Sequence, residues 1–180
     1  MADQVDSEQS VLYHGTRFDV RGITLAKRSG GVLRREIVVP ADAVVILPML
    51  DEQTVVLIRN ERFAVGTTLW ELPAGTLEAE EDPSACALRE LREETGYDAS
   101  TIERLIAFYP SPGFCTEKLT AYLARGLTYR GQDLDETERI TAEAVPLDQT
   151  MEMVRDNRIM DAKTIATLLY YQTFLRNRTT

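Results

Sequence analysis

The sequence is poor in the residues on which much protein catalysis and metal binding depends. Among 180 residues there is one histidine, His14. A Ser–His–Asp or Cys–His arrangement would have to run through that residue. His14 lies in VLYHGTRF, an alternating segment that reads as strand then turn, and an ordinary structural histidine is expected there. Cysteine is nearly absent as well. Cys86 and Cys115 are the only two, and without a CxxC pair or a Cys/His cluster they exclude a zinc site of familiar spacing and make a disulfide unexpected. No apolar run approaches the roughly 20 residues of a membrane span. The opening MADQVDSEQS is acidic and polar, unlike a signal or transit sequence, so the cytoplasm is the expected compartment. Basic residues are outnumbered 20 to 29 by acidic ones, for a net charge of −9. With no basic patch interleaved with aromatics, nucleic acid is not an expected partner.

What remains is 44% apolar and 27% charged, the composition of a globular domain with a packed core, here with room for an added lobe. From Val11 to Val39 the chain reads as strands separated by turns at Gly15 and Gly30-Gly31. Residues 41–50 and 54–63 are β-branched apolar runs, the first nearly continuous, as a strand covered on both faces would be. Residues 105–110 and 118–127 read as two further strands around the loop SPGFCTE. A polar stretch, 130–138, precedes a last short strand, ITAEAVP. Helices are expected at 83–95, from about Leu147, and again in DAKTIATLLYYQTFL. In the last, Ile165, Leu168, Leu169, Tyr171 and Leu175 form an apolar stripe. The fold class is α+β, a mixed sheet between helices with an N-terminal antiparallel β lobe. The division expected is 1–40 for the lobe and 41–180 for the main domain.

Residues 71–95, ELPAGTLEAEEDPSACALRELREET, carry eight acidic and two basic side chains, a net −6 of the total −9. Such a block is often only a solvated helix face. Here the helix is punctuated at both ends, with Asp82 as N-cap, Pro83 at the first helical position and Gly96 for a left-handed C-terminal residue. Leu88 and Leu91, with Ala87, are expected to face the sheet. Glu90 and Glu94 stack one turn apart, with Glu93 beside Glu90. Like charges at this spacing oppose each other by about 0.2–0.5 kcal/mol, and acidic groups in the last turn also meet the negative end of the helix dipole. A divalent cation removes both penalties, and hard cations take oxygen ligands.

The spacing is itself distinctive. Gly75, five residues, Glu81, seven residues, then Arg89-Glu90-Leu91-Arg92-Glu93-Glu94-Thr95-Gly96-Tyr97 resembles the signature of the Nudix hydrolases at every defined position. Seven fixed residues at roughly 6% each make a chance match on the order of one in a million. The resemblance implies an α/β/α sandwich and a loop–helix–loop cradle holding two or three Mg2+ (or Mn2+) ions against a pyrophosphate. It implies Glu90 and Glu94 as main ligands, Glu93 sharing, and the backbone carbonyl of Ala74 joining them. Arg89 would orient the glutamates, and Glu81 would support the loop or an outer metal shell. Metal ions act as Lewis acids and lower the pKa of bound water.

The flanks narrow the substrate. RNERFAVGTTLWELPAG upstream, and Pro112 fifteen residues after Tyr97, resemble the branch that hydrolyses ADP-ribose and other nucleoside diphosphate sugars. The expected reaction splits ADP-ribose into AMP and ribose 5-phosphate; GDP- or UDP-hexoses, or a non-catalytic nucleotide-sensing module, are the alternatives. In that branch a loop glutamate often activates water, and Glu136, then Glu138, match it, with Glu93 as another candidate base. Arg62, Pro112, Gly113 and Glu117 are candidate substrate contacts, and Phe114 either stacks on a base or fills the core. The resemblance further implies a homodimer formed through the N-terminal lobe.

Overall fold

The computed structural model describes residues 9–176; the first eight residues, part of the segment read above for targeting signals, lie outside them. The chain separates into two compact units. One comprises, among the described residues, 9–42 and 109–118. The other comprises 43–108 and 119–176.

The first unit is a three-stranded antiparallel sheet of β1 (Gln9–His14), β2 (Phe18–Ala26) and β3 (Val32–Pro40) in the order β1-β2-β3. Its turn at Gly30 and Gly31 uses two left-handed residues, a conformation glycine adopts without steric cost. The loop 109–118 is tied to β3 by backbone bonds: Val38 N donates to Phe114 O at 2.8 Å and Thr116 N to Val38 O at 3.0 Å. His14 is exposed, with Nδ1 2.6 Å from Asp19 Oδ1.

The second unit is built on a seven-stranded mixed sheet. Its strands are β4 (Ala43–Asp51), β5 (Thr54–Arg62), β6 (Thr67–Glu71), β7 (Ala74–Thr76), β8 (Tyr97–Phe108), β9 (Leu119–Tyr129) and β10 (Ile140–Pro146). The main path is β10-β5-β4-β9-β8, with β6 on β5 and β7 on β4. Among the described residues of this sheet, only β4 and β9 run parallel, and the other strand pairs are antiparallel. Helix α1 (Pro83–Thr95) covers one face, where Cys86, Ala87 and Leu91 meet Val44, Ile46, Tyr122 and Ala124. Helices α2 (Leu147–Arg155) and α3 (Ala162–Phe174) belong to the larger core cluster, which joins Val45, Leu47, Val55 and Leu57 to Leu147, Met153, Leu168 and Tyr171. Residues 43–49 of β4 are all buried because successive side chains point to opposite, covered faces. The helix–sheet–helix layering and the separate antiparallel lobe are those expected.

Some boundaries differ. The strand expected at 105–110 begins at Tyr97, directly after Gly96. Its first half is polar because β8 is an edge strand, paired only with β9, and hydrophobic patterning alone misses such a segment. Strands β6 and β7 escaped notice for a similar reason: they are short and each pairs with a single neighbour. Leu88 is 37% exposed, so Cys86, Ala87 and Leu91, not Leu88, form the packed face of α1. Leu169 is likewise exposed while Leu168 and Tyr171 are buried. Between α2 and α3, Asn157 takes a left-handed conformation and ends the first helix. Among the described residues, no helix is long and apolar enough to cross a membrane.

Candidate active site

Helix α1 starts and stops where its sequence dictates. Asp82 caps it, accepting from Ser84 N at 2.8 Å, and Gly96 closes it with φ 78° while its N–H returns to Arg92 O at 2.8 Å. A β-carbon at Gly96 would strike Tyr129 and the backbone of Gly131. The buried stripe includes Cys86, Ala87, Leu91, Glu94 and Thr95, so Glu94 belongs to the packed side of the helix and Glu90 borders it.

The approach to α1 supplies the other wall. Gly75, on β7, lies so close to Glu90 that a β-carbon there would coincide with the Glu90 carboxylate. Its neighbour Ala74 donates its N–H to Glu94 Oε2 at 2.8 Å. The resemblance assigned Ala74 by its carbonyl; the contact present here is through its amide.

Arg89 is the hub of the acidic residues. Its Nε and Nη2 donate to Glu81 Oε1 and Oε2 at 2.9 and 3.0 Å, and its Nη1 donates to Glu90 Oε1 at 2.7 Å and Glu93 Oε2 at 3.0 Å. This bidentate bond holds the Glu81 carboxyl down to about 2. Glu81 in turn accepts from Glu78 N at 2.9 Å, which fixes the loop before α1. Burial raises the Glu90 carboxyl, against the attraction of Arg89. Glu94 is 3% exposed, and burial pushes its carboxyl up to about 8 despite the bond from Ala74. Beside Arg89, Cys86 is buried and its thiol is pushed up to about 12, chiefly by burial, which leaves it unreactive at neutral pH.

Three carboxylates therefore share one property. Glu90, Glu93 and Glu94 each give one oxygen to a protein donor, and the second oxygen of each receives none among the described residues. Among those residues no three acidic, cysteine or histidine side chains converge into a complete ion site. The donor set fits a hard divalent cation that takes one or two carboxylates and fills its shell with water and substrate oxygens. The structural mark of that fit is Glu94, buried with no ion pair among the described residues, beside a largely buried Glu90 that shares Arg89 with Glu81 and Glu93.

Two further candidates lie in the same unit. Arg62 is bound by Glu71 and raised above its ordinary value by it, with a further pull from Glu94. Glu138, partly buried in the loop 130–139, accepts from Asp135 N at 3.0 Å, and its charge acts on both Glu90 and Glu94. Glu136, two residues earlier, is exposed and makes no hydrogen bond or ion pair among the described residues. Gln132 anchors the same loop to the end of α1 by donating to the Glu94 carbonyl. That tether was missed in the sequence, where Gln132 is one polar residue among many. Pro112, Gly113 and Glu117 belong to the other unit, on the loop held by β3. Phe114 is exposed there and fills no core.

Comparison with known proteins agrees with this architecture. The NUDIX domain model matches residues 39–168. A methanol dehydrogenase activator of Bacillus methanolicus is 38% identical over 146 residues, covering 80% of this chain and 79% of that one. An ADP-ribose pyrophosphatase of Bacillus subtilis has the same identity and coverage. A GDP-mannose pyrophosphatase of Salmonella typhimurium is 34% identical over 170 residues, covering 87% and 88%. The fold is shared with a solved ADP compounds hydrolase at TM-score 0.84 and 22% identity, covering 96% of this chain and 94% of that one. The chain belongs to the Nudix family.

Proposed function

We propose that this protein hydrolyses the diphosphate bond of a nucleoside diphosphate sugar, with ADP-ribose as the first candidate, giving AMP and ribose 5-phosphate. The observation that carries this reading is the trio Glu90, Glu93 and Glu94, each with one oxygen fixed and one free, beside a tethered arginine. A cluster of this charge repels a diphosphate unless cations intervene, so the reaction needs a divalent ion, Mg2+ or Mn2+ in this reading, and the family resemblance implies two or three of them. When bound, the ions would neutralise phosphate charge and acidify a water. Glu90 and Glu94 are the main ligands in this reading, with Glu93 and the Ala74 backbone completing the set.

The protein's own groups do the rest. Arg89 keeps Glu90, Glu93 and the Glu81 loop in register, and the Ala74 amide holds Glu94. Arg62 offers its guanidinium to the diphosphate. Glu138, partly buried on the loop that Gln132 ties to the end of α1, is in this reading the preferred base for taking a proton from the attacking water, ahead of Glu136, the first choice on the resemblance, and Glu93. Water oxygen bonds to phosphorus, the bridging P–O bond breaks, and the leaving phosphate departs as a monoester. The relatives that act on ADP-ribose and on GDP-mannose, by their names, support a nucleoside diphosphate sugar and leave the GDP-hexose as the second reading.

The three-stranded unit is, in this proposal, the surface that joins two copies of the chain. Every residue of β1 is exposed, and Val11, Leu12 and Tyr13 follow one another on it, with Phe18 on β2 and Val32 on β3 as further exposed apolar side chains.

The test is a panel of ADP-ribose, GDP-mannose, UDP-glucose and nucleoside triphosphates with Mg2+, products identified chromatographically, repeated with EDTA and after restoring Mg2+. Turnover of a nucleoside diphosphate sugar, lost with EDTA and regained with Mg2+, is expected. Turnover of triphosphates alone, or activity indifferent to chelation, refutes the reading.

A further inference from the structure

The DAKTI run at the start of α3 has no place in the reaction as described, yet it grips the segment that enters the site. Asp161 caps α3, its Oδ2 accepting from Thr164 N at 2.9 Å and from Thr164 Oγ1 at 2.6 Å. That same Thr164 hydroxyl oxygen accepts from Leu72 N at 2.8 Å. Lys163 donates to Glu71 Oε2 and lies 3.0 Å from Asp161 Oδ1. One helical turn therefore holds two consecutive residues, Glu71 and Leu72, three and two positions before Ala74.

Glu71 is the centre of this contact. Its carboxylate is 1% exposed and carries a charge that burial alone would not permit. Two cations compensate it. Arg62 donates from Nε to Oε1 at 2.8 Å and from Nη2 to Oε2 at 2.7 Å, a fork on one edge of the guanidinium. Lys163, 12% exposed, supplies the second. With Asp161 the group contains two negative and two positive side chains. Without Lys163, two carboxylates would face Arg62 alone.

The grip matters because of what Arg62 leaves open. A guanidinium has five N–H donors, and Glu71 takes two. The other three have no protein acceptor among the described residues, and the side chain is 38% exposed. It is thus held along one edge and open along the other, within electrostatic reach of Glu94.

We propose that Lys163 is a positioning residue: by completing the charge balance around Glu71 and Asp161 it fixes the plane of Arg62, whose open edge then meets the substrate diphosphate. This rests on the reading of Arg62 as a diphosphate contact. A plain staple between α3 and the sheet makes a different prediction, since its loss would cost stability and leave no coupling to Arg62.

The experiment is a double-mutant cycle with ADP-ribose and Mg2+: wild type, Lys163→Met, Arg62→Ala and the double variant, with Lys163→Arg as rescue. In parallel, nitrogen-15 spectra follow the arginine Nε–H signals, that of Arg62 being the one lost in Arg62→Ala. Lys163→Met is expected to lower kcat/KM about 10- to 100-fold, mostly through KM, and to broaden the Arg62 signal. Lys163→Arg should restore most of both, and Lys163→Met should cost nothing further when Arg62 is already alanine. Equal losses on both backgrounds, or an unmoved Arg62 signal, overturn the proposal. If Lys163→Met does not fold, Lys163→Gln replaces it with the same expectations. A wild type that turns over no nucleoside diphosphate sugar, but whose Arg62 signal still depends on Lys163, refutes the functional reading alone.

Discussion

Gly75→Ala is the smallest change that tests the geometry of the site. The added methyl would sit where the Glu90 carboxyl carbon and both its oxygens now are. Because that obstacle is the far end of a flexible side chain, the cheapest response is for Glu90 to swing away, leaving β7 in register with β4. Swinging away breaks the 2.7 Å bond to Arg89 Nη1 and pushes a partly buried carboxylate into new surroundings. Overpacking of this kind costs about 1–3 kcal/mol. The lower chain entropy of alanine in the unfolded state returns about 0.4–1 kcal/mol. The net loss should therefore lie between about 0 and 2.6 kcal/mol, read from the urea midpoint at unchanged slope. The effect on activity should be larger, because displacing a catalytic group by about an ångström can cost about a hundredfold. The half-saturating Mg2+ concentration for ADP-ribose turnover should rise in step. Gly113→Ala, where nothing lies within 4 Å, is the control: with no clash to offset it, the entropy gain alone should raise stability by about 0.4–1 kcal/mol, not lower it. If Gly75→Ala keeps wild-type kcat/KM and Mg2+ dependence, Glu90 is not a ligand and the account of the Gly75–Glu90 contact fails.

Other consequences are open to simple measurements. Glu138→Gln should lower kcat by about 10²–10⁴-fold with little change in Mg2+ requirement, the range for losing a general base, whereas Glu136→Gln should have a small effect; the reverse ranking would return the role to Glu136. Leu91→Ala empties a wholly buried position between α1 and the sheet and should cost about 2–5 kcal/mol in urea unfolding. Burial raises the Glu71 carboxyl, but Arg62 and Lys163 together bring it below its ordinary value. A carboxyl depressed in the folded state stabilises the fold above its unfolded pKa, about 4.3, and the gain disappears as pH falls through the lower folded value. The stability advantage of wild type over Glu71→Gln should thus be constant near neutrality and shrink below about pH 4. Analytical ultracentrifugation should give a dimer that Leu12→Asp with Val11→Asp converts to monomer; an unchanged mass would move the interface off β1.

How much of this was legible in the sequence follows the range of the interactions. Asp82, Pro83 and Gly96 mark the ends of α1 within a turn of the bonds they make, so the helix and its row of glutamates could be placed in advance. The nearly unbroken apolar run of β4 announced a strand covered twice. By contrast, Leu88 and Leu169 were drawn into the wrong stripe, because helical spacing fixes which residues share a face and not how far the covered arc extends. The pairing of loop 109–118 with Val38 joins positions more than 70 apart, and no local pattern records it. The contact of Lys163 with Glu71 spans 92 positions and was invisible for the same reason. Glu136 and Glu138 differ by two residues in a polar loop, and no local pattern tells that the second is partly buried and the first exposed.

The charge arithmetic of the site explains why its parts come together. Glu81, Glu90, Glu93, Glu94 and Glu138 bring five carboxyl groups near two arginines, Arg89 and Arg62. Arg89 spends its hydrogen bonds on Glu81, Glu90 and Glu93. Arg62 spends two of its donors on Glu71, which is already balanced by Lys163. The remaining excess cannot be relieved by solvent alone, because Glu94 is buried and Glu90 largely so. A fold selected only for stability would place apolar residues or a paired lysine at these positions. Keeping Glu90 and Glu94 with unsatisfied oxygens on the covered edge of a helix, with Glu93 beside them, is destabilising in isolation. It makes chemical sense where cations arrive from outside, and where the next layer is an anion that those cations and Arg62 hold together.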